Sequence, residues 1–190
     1  RAPLIEEVQA LVPRLRSALI CAQEVIEWVS QFSFPNHDIP FLMVSLRHQN
    51  EYPVLATNII TSNKEQFHIN EYDNYFKEFH AMQSTALHTT TVAGKPILLG
   101  PLSRINLNFD QLPRHIQNIA NSTGVNWPSR NMFHSIIARS IEGFWALDRA
   151  LQICENYTYP EFSSVATTYA AAAAWAAVEA PRGIQIDHLQ

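Results

Sequence analysis

Residues 130–151 read RNMFHSIIARSIEGFWALDRAL, and this stretch decides the fold. Apolar side chains recur in it every three or four residues, which places one wide apolar stripe along an α-helix. We therefore predict a long helix over residues 132–153, capped by Ser129 or Asn131. A stripe of this width requires burial, so this helix is expected to form the hydrophobic core together with the first helix of the chain.

That first helix is predicted over residues 3–33, where apolar residues again recur at helical spacing. Pro13 lies inside this stretch, lacks an N–H and crowds the preceding turn. We expect the helix to kink or restart there. Cys21 in this helix and Cys154 at the end of the long helix have no CxxC partner. They are interpreted as two buried free thiols, with a disulfide between them as the alternative.

Between the two helices the pattern changes to short apolar strands. Residues 41–46, 54–61 and 66–69 predict a small antiparallel meander, with a turn at residues 62–64. Residues 72–82 return to helical spacing, and PILLGP at residues 96–101 predicts a strand that enters a turn.

Asp110 is predicted to cap a further helix that stops near Gly124. The predicted fold class is therefore α+β and mainly helical, with a helix-bundle core and a small antiparallel sheet to one side. Residues 1–190 are expected to form a single domain.

Composition restricts the function classes. The 190 residues include 47% hydrophobic and 16% charged residues, with a formal net charge of −4. A mildly acidic chain of this kind is not expected to bind nucleic acid. No apolar run reaches the roughly 18 residues of a membrane span, and the cysteine usage suits a reducing cytoplasm. The eight histidines lack zinc-site spacing, and no phosphate-binding loop or GxSxG motif occurs.

Charged residues near the predicted helices suggest ion pairs. Arg139 and Glu142 lie three residues apart on the long helix, a spacing that allows a salt bridge. Both flank the apolar stripe, so at least one of them is a candidate for an inward orientation. A buried arginine needs a carboxylate partner, and Glu142 and Glu179 are available.

The segment VEAPRG at residues 178–183 places an arginine between a proline and a glycine. Pro181 fixes its own φ and pushes the residue before it toward extended geometry, whereas Gly183 permits unusual backbone conformations. Arg182 is therefore expected on a stiff, irregular segment, from which its permanent charge can point into a cleft. The alternative is a plain Arg182–Glu179 pair that closes a loop.

Several stretches together resemble the large subunit of nickel–iron hydrogenases, in particular the cytoplasmic bidirectional, sulfhydrogenase-like branch. The resemblance covers roughly residues 40–188, and GPLSRINLN is fairly specific to that branch. It is carried by YPVLATNIITSN (52–63), STALHTTTVAGKPILLGPLSR (84–104), LLGPLSRINLNFDQL (98–112), RNMFHSIIARSIEGFWALDRAL (130–151) and VEAPRG (178–183).

The resemblance implies roles for residues of the VEAPRG segment. Arg182 matches the catalytic arginine whose guanidinium lies over the open coordination position between nickel and iron. Pro181 and Arg182 match residues that line the pocket for the cyanide ligands of the NiFe(CN)2CO centre. Glu179 matches the glutamate of the motif and is expected to orient Arg182. These three residues are the predicted cofactor-binding residues.

The chain also departs from the family pattern. The family binds its metals with two pairs of cysteines, and Cys21 and Cys154 match neither pair. Three interpretations follow: the middle part of a larger subunit, which the start at Arg1 favours; a relative that has lost the metals; or a chain that pairs with others that supply the cysteines. We predict that the chain alone binds no stoichiometric nickel and is inactive, because nickel needs thiolates.

The implied function is reversible H2 oxidation and proton reduction, as part of a NiFe-hydrogenase-type large subunit. Electrons would pass to an iron–sulfur small subunit and from there to NAD(P)-linked diaphorase subunits in a cytoplasmic complex. The main alternative is a metal-free, hydrogenase-derived scaffold subunit. A helical binding module unrelated to hydrogenases is the third.

Overall fold

Two long helices pair at the centre of the molecule. The structure, a computed structural model, describes residues 2–162, 164–166, 171–181 and 183–189. The helices in these ranges are α1 (Ile5–Gln9), α2 (Val12–Ser30), α3 (Tyr72–Tyr75), α4 (Pro101–Asn108), α5 (Arg114–Ser122) and α6 (Ser135–Glu155). Helices α2 and α6 pack along each other, as predicted.

The main hydrophobic core lies between α2, α4, α5 and α6. Ile26 of α2, Ile105 of α4 and Ile116 of α5 are almost fully buried. Ile137 and Ile141 of α6 belong to the same core, which confirms that the apolar stripe of residues 132–153 faces inward. Apolar side chains removed from water in this way supply the main favourable term in folding.

Pro13 restarts the first helix, as predicted. Helix α1 ends at Gln9, and α2 begins at Val12 with Pro13 in its first turn. The N–H that proline lacks has no intrahelical partner at this position, so the residue is tolerated there.

The cap predicted at Asn131 is confirmed, whereas the one predicted at Asp110 is wrong. The Asn131 Oδ1 accepts a hydrogen bond from the Phe133 N–H at 3.0 Å, at the start of a 3₁₀ turn that leads into α6. Helix α5 instead begins after Pro113, and the Asp110 carboxylate binds the guanidinium of Arg47. The Asp110 carboxylate therefore accepts its hydrogen bonds from the Arg47 guanidinium and not from N–H groups at a helix start.

The strands form one sheet and two hairpins. They are β1 (Leu42–Arg47), β2 (Asn58–Thr61), β3 (Gln66–His68), β4 (Phe76–His80), β5 (Leu87–Thr91), β6 (Ile97–Leu98), β7 (Ala174–Ala180) and β8 (Gly183–Leu189). Strands β1, β2 and β3 pair antiparallel, with Val44 opposite Thr61, which confirms the meander. Strand β6 pairs with β1 in parallel, so the sheet is not purely antiparallel as predicted.

The helix predicted over residues 72–82 is wrong beyond its first turn. Only Tyr72–Tyr75 is helical, and β4 follows at once. Strand β4 pairs with β5, where Phe76 lies opposite Thr91 and Lys77 opposite Thr90. The β-branched threonines of β5 favour a strand, and the pairing outweighs the local helical spacing of the aromatic residues.

Strand β7 begins at Ala174, inside the alanine-rich stretch, and continues into the VEAPRG motif as far as Ala180. It pairs with β8, and Ala180 lies opposite Gly183. The Glu179 N–H also donates to the Val54 carbonyl at 2.8 Å, and an isolated bridge joins Leu55 to Val178. Ala177 is buried in a second apolar cluster under the sheet, so β7 fixes the motif against the body of the molecule.

The two cysteines lie in different environments. Cys154 is buried beside Val8 and Val12, whereas Cys21 is exposed on α2, so the prediction of two buried thiols is wrong for Cys21. Both thiols are free. In the part of the chain that the structure describes, no helix is long and apolar enough to cross a membrane.

Candidate functional site

A buried guanidinium, that of Arg104, is the centre of the candidate site. Arg104 lies on α4 and is 5% exposed. Its Nε donates to Glu142 Oε1 at 2.6 Å, and its Nη2 donates to Glu142 Oε2 at 2.7 Å. These two parallel hydrogen bonds form a bidentate pair, the strongest geometry for a guanidinium and a carboxylate. They tie α4 to the middle of α6.

The third nitrogen of the guanidinium binds the VEAPRG segment. Arg104 Nη1 donates to Glu179 Oε2 at 3.1 Å and to the Ala180 carbonyl oxygen at 2.8 Å. The planar guanidinium of Arg104 thereby joins α6 to β7. It binds the Glu142 carboxylate on one side, and the Glu179 carboxylate and the Ala180 carbonyl on the other. A lysine could not make these contacts together, because its ammonium is a single point charge.

The second carboxylate oxygen of Glu179 is held by β1. Glu179 Oε1 accepts hydrogen bonds from the Leu46 N–H at 2.7 Å and from the Ser45 hydroxyl at 3.0 Å. Burial raises the pKa of Glu179, although the Leu46 N–H and the Arg104 guanidinium oppose this effect. The net shift is upward because the loss of water around the carboxylate outweighs these contacts.

Tyr52 completes the cluster on the α6 side. Its hydroxyl donates to Glu142 Oε1 at 2.6 Å, and the residue is 4% exposed. Burial, reinforced by the neighbouring Glu142 carboxylate, raises the pKa of Tyr52 well above its ordinary value. The phenol is therefore a neutral hydrogen-bond donor. Burial by itself would lower the pKa of Arg104. The carboxylates of Glu142 and Glu179 raise this pKa by more, so the net shift is upward and Arg104 stays charged.

The start of α4 explains why Arg104 points into this cluster. Gly100 has φ 91°, a left-handed conformation that glycine adopts without strain, and Pro101 follows as the first helical residue. Ser103 accepts a hydrogen bond from the Val44 N–H at 2.9 Å and donates to the Leu98 carbonyl at 2.9 Å. The serine fixes the first turn of α4 against β1, and the next residue faces Glu142 and Glu179.

A cavity of about 320 Å³ opens beside the cluster. Tyr52, Arg104, Glu142 and Glu179 contribute polar atoms to its wall, and Pro181 lies at its edge. Most of the remaining wall is apolar, formed by Pro53, Val54, Pro101, Gly143, Trp145 and Ala146. An apolar cleft with a few convergent polar groups is the usual form of a binding site.

The structure locates two of the three predicted site residues. Glu179 is buried in the cluster and binds Arg104, and Pro181 is exposed where it lines the cavity. Arg182, the predicted catalytic residue, lies outside the described residues. Its role, and the orienting effect of Glu179 on it, therefore stay predictions.

The ion pair predicted between Arg139 and Glu142 is wrong. Glu142 turns to Arg104, and Arg139 is exposed at the rim of the cavity. A buried, bidentate partner outweighs an exposed neighbour three residues away, because water screens the exposed pair. The expected need of a buried arginine for Glu142 and Glu179 is confirmed, but the arginine is Arg104.

Sequence reasoning missed Arg104 and Tyr52 as site residues. The signal that pointed to them is their place in the quoted stretches: Tyr52 opens YPVLATNIITSN, and Arg104 lies inside GPLSRINLN. Glu142 and Glu179 lie in the other two stretches. The segments that carry the family resemblance, spread over about 130 residues of sequence, thus converge on one cluster of hydrogen bonds.

The described residues do not supply a thiolate set for a nickel–iron centre. Cys21 is exposed on α2 and Cys154 is buried beside α1, and neither lines the cavity. Within residues 2–162, 164–166, 171–181 and 183–189, no group of three or more His, Cys, Asp or Glu side chains could hold a metal ion. Among the described residues, the cavity wall contains no thiol that could serve as a metal ligand.

Comparison with known proteins gives one relevant similarity. The chain is 26% identical over 156 residues to the α subunit of sulfhydrogenase 1 from Pyrococcus furiosus. The match covers 80% of this chain but only 35% of that protein, so the chain spans about a third of its relative's length. No protein-family model matches the chain.

Proposed function

We propose that this chain is part of a NiFe-hydrogenase-type large subunit that catalyses reversible H2 oxidation and proton reduction. The observation that carries the proposal is the convergence of the resembling stretches on the Arg104 cluster, which contains Tyr52, Arg104, Glu142 and Glu179. Unrelated stretches that matched a family by chance would have no reason to meet at one buried site. The similarity to the sulfhydrogenase α subunit supports the same conclusion.

In this proposal the chain forms part of the wall around the metal centre. Cysteine thiolates from polypeptide outside residues 1–190 bind the metals. Pro181 and Arg182 would line the cofactor pocket, with Arg182 as the catalytic residue and Glu179 as its support. A fixed cation in a site without water stabilises developing charge far better than one in solvent. No reaction step is assigned to the metals, because the described residues do not provide their ligands.

The test is H2-dependent reduction of a viologen dye by the complex purified through a tag on this chain. We expect activity in the complex, one nickel per complex, and no stoichiometric nickel on the isolated chain. Arg182→Lys should lower the rate by about a hundredfold or more, the scale of losing one preorganised electrostatic group. Arg130→Lys, at an exposed position, is the matched control and should leave the rate unchanged. A complex without H2 activity would contradict the proposal.

The metal-free scaffold is the second candidate, and the separation of the two cysteines favours it. A scaffold subunit would assemble with the same partners but would give a complex with neither nickel nor H2 activity. The purification described above therefore separates the two candidates in a single preparation.

We further propose that the exposed apolar stripe on α2 binds the iron–sulfur small subunit. Trp28 is 62% exposed and Phe32 39%, and their rings are 5.2 Å apart in an edge-to-face contact. Val25 lies one turn before Trp28 on the same face and is also exposed. Contiguous exposed apolar surface of this kind marks interaction sites.

Trp28→Glu tests this surface. We expect it to abolish co-purification of the iron–sulfur subunit, while Ile153→Glu at the far end of α6, also exposed, should not. The chain itself should stay folded in both variants, because both side chains face solvent. If Trp28→Glu still co-purifies with the iron–sulfur subunit, the proposed partner is refuted. The stripe would then bind a second copy of the chain or be covered by another part of the same polypeptide.

A further inference from the structure

We propose that Arg104 is a positioning residue that sets the backbone of residues 179–181, the segment that leads directly into Arg182. Nothing in the sequence comparison assigns a role to Arg104. The catalytic consequence of this positioning rests on the proposed function, whereas the positioning itself is a property of this chain alone.

The contact that carries the inference is the one to the backbone. The backbone before Arg182 pairs with β8, where Ala180 lies opposite Gly183. Outside this hairpin it is anchored through the Glu179 N–H and the Ala180 carbonyl. The Glu179 N–H binds Val54, and the Ala180 carbonyl accepts from Arg104 Nη1 at 2.8 Å. Arg104 therefore fixes the Ala180 carbonyl, two residues ahead of Arg182.

Arg104 is itself fixed from three directions. The bidentate bond to Glu142 holds it to α6, its own backbone belongs to α4, and Glu179 connects it to β1 through the Leu46 N–H. The Tyr52 hydroxyl holds the Glu142 carboxylate in turn. Because Arg104 is held by α4, α6 and β1, its contact with the Ala180 carbonyl fixes the end of β7 relative to these three elements. Functional sites need support of this kind from the residues around them.

A purely structural ion cluster would act differently. Its loss would lower the free energy of unfolding of the whole domain, and every protected amide would exchange faster by a similar factor. A positioning role predicts that loss of the Arg104 contacts accelerates exchange of the amides at the end of β7 more than exchange of the core amides. Amide hydrogen exchange, measured residue by residue by NMR on this chain, separates the two.

Arg104→Lys is the main variant, because it keeps the charge and removes the fork. Arg47→Lys is the matched control: Arg47 also binds a carboxylate with two nitrogens but does not touch residues 179–181. In Arg104→Lys we expect the Glu179 amide to exchange about tenfold faster relative to the Ile141 amide of the core. In Arg47→Lys this ratio should stay within about twofold of the native value.

Equal acceleration at Glu179 and Ile141 in Arg104→Lys, or no acceleration at either, would overturn the proposal. If Arg104→Lys does not fold, Glu142→Gln decides. This variant leaves residues 179–181 untouched and weakens the grip on Arg104 from the α6 side. We expect it to raise the Glu179-to-Ile141 exchange ratio by about threefold, and an unchanged ratio would refute the positioning role.

The complete complex gives the catalytic readout. With Arg104→Lys we expect kcat for H2 oxidation to fall by about tenfold and KM for H2 to change little, because a misplaced reacting group affects the transition state. An unchanged kcat, with the exchange ratio raised, would overturn the catalytic consequence. A native complex without H2 activity would instead contradict the proposed function, and the exchange ratio would still decide the role of Arg104.

Discussion

Arg104 and Arg47 make the same contact in different surroundings. Each binds one carboxylate through two nitrogens: Arg104 binds Glu142 at 2.6 and 2.7 Å, and Arg47 binds Asp110 at 2.9 and 2.7 Å. The side chains of Arg104 and Glu142 are 7% and 13% exposed, whereas those of Arg47 and Asp110 are 23% and 65% exposed. Geometry alone would rank the two pairs equally, and burial is what separates them.

The difference teaches which charges organise the molecule. Water competes with the Arg47 pair and salt screens it, so its loss is expected to be a local event. Arg104 is only 5% exposed, so water competes far less there, and a partner left alone is a poorly compensated buried charge.

Arg104→Met should have the largest effect. Removing the shared cation leaves the Glu142 and Glu179 carboxylates buried without a charged partner, and we expect a loss of about 3–5 kcal/mol in the free energy of unfolding. Urea denaturation followed by tryptophan fluorescence measures it. Arg47→Met is the control, with an expected loss of no more than about 1 kcal/mol. Similar losses in the two variants would break the comparison.

Tyr52→Phe should have an intermediate effect. It removes a buried hydroxyl that donates to Glu142 at 2.6 Å and leaves the ring packed against Trp145. A hydrogen bond to a charged group at a buried site is worth about 1.5–3 kcal/mol, so we expect a loss in this range by urea denaturation. Tyr157→Phe removes an exposed hydroxyl that donates to the Pro3 carbonyl and should cost far less. An equal cost in both would contradict a special role for the cluster.

Asp110→Asn should have a small effect that depends on salt. The Arg47–Asp110 pair is largely exposed, so its replacement should cost about 0.2–1 kcal/mol at low ionic strength and almost nothing in 1 M NaCl. Urea denaturation at two salt concentrations measures this. Arg104→Met should keep its full cost in 1 M NaCl. A salt-dependent loss at Arg104 would show that water reaches the cluster.

The two sites should also respond to pH with opposite signs. Burial raises the pKa of Glu179, so its contribution to stability is present at low pH and is lost as the pH rises through the raised value. Arg47 lowers the pKa of Asp110, so that contribution is present above the ordinary value and is lost as the pH falls through the lowered one. Carboxyl-carbon NMR titration should place the Glu179 midpoint above 4.5 and the Asp110 midpoint below 3.8. The reverse order would contradict the account.

Periodicity predicted the elements that bury one continuous face. The stripe of α6, its pairing with α2 and the β1–β3 meander all follow from spacing, because each element buries the side chains that its own period places together. Strand β4 was missed for a physical reason. Its helical spacing is a local signal, and the pairing with β5 that overrides it depends on residues seven to fifteen positions away.

The candidate site was predictable only in part. Glu179 and Pro181 were predicted only through the resemblance of the VEAPRG segment to the hydrogenase motif. Arg104 gave no local signal, since a charged residue on a short helix is usually exposed. The Arg139–Glu142 prediction failed for the same reason: sequence spacing measures neighbours along a helix and cannot register a partner on another element.

A pair of double-mutant cycles tests the central claim most directly. One cycle combines Arg104→Met with Glu179→Gln, and the other combines Arg47→Met with Asp110→Asn, with all variants measured by urea denaturation. We predict a coupling energy above about 1.5 kcal/mol for Arg104 with Glu179 and below about 1 kcal/mol for Arg47 with Asp110. A coupling between Arg104 and Glu179 no larger than that of the exposed pair would contradict the claim that a buried guanidinium holds the VEAPRG segment in place.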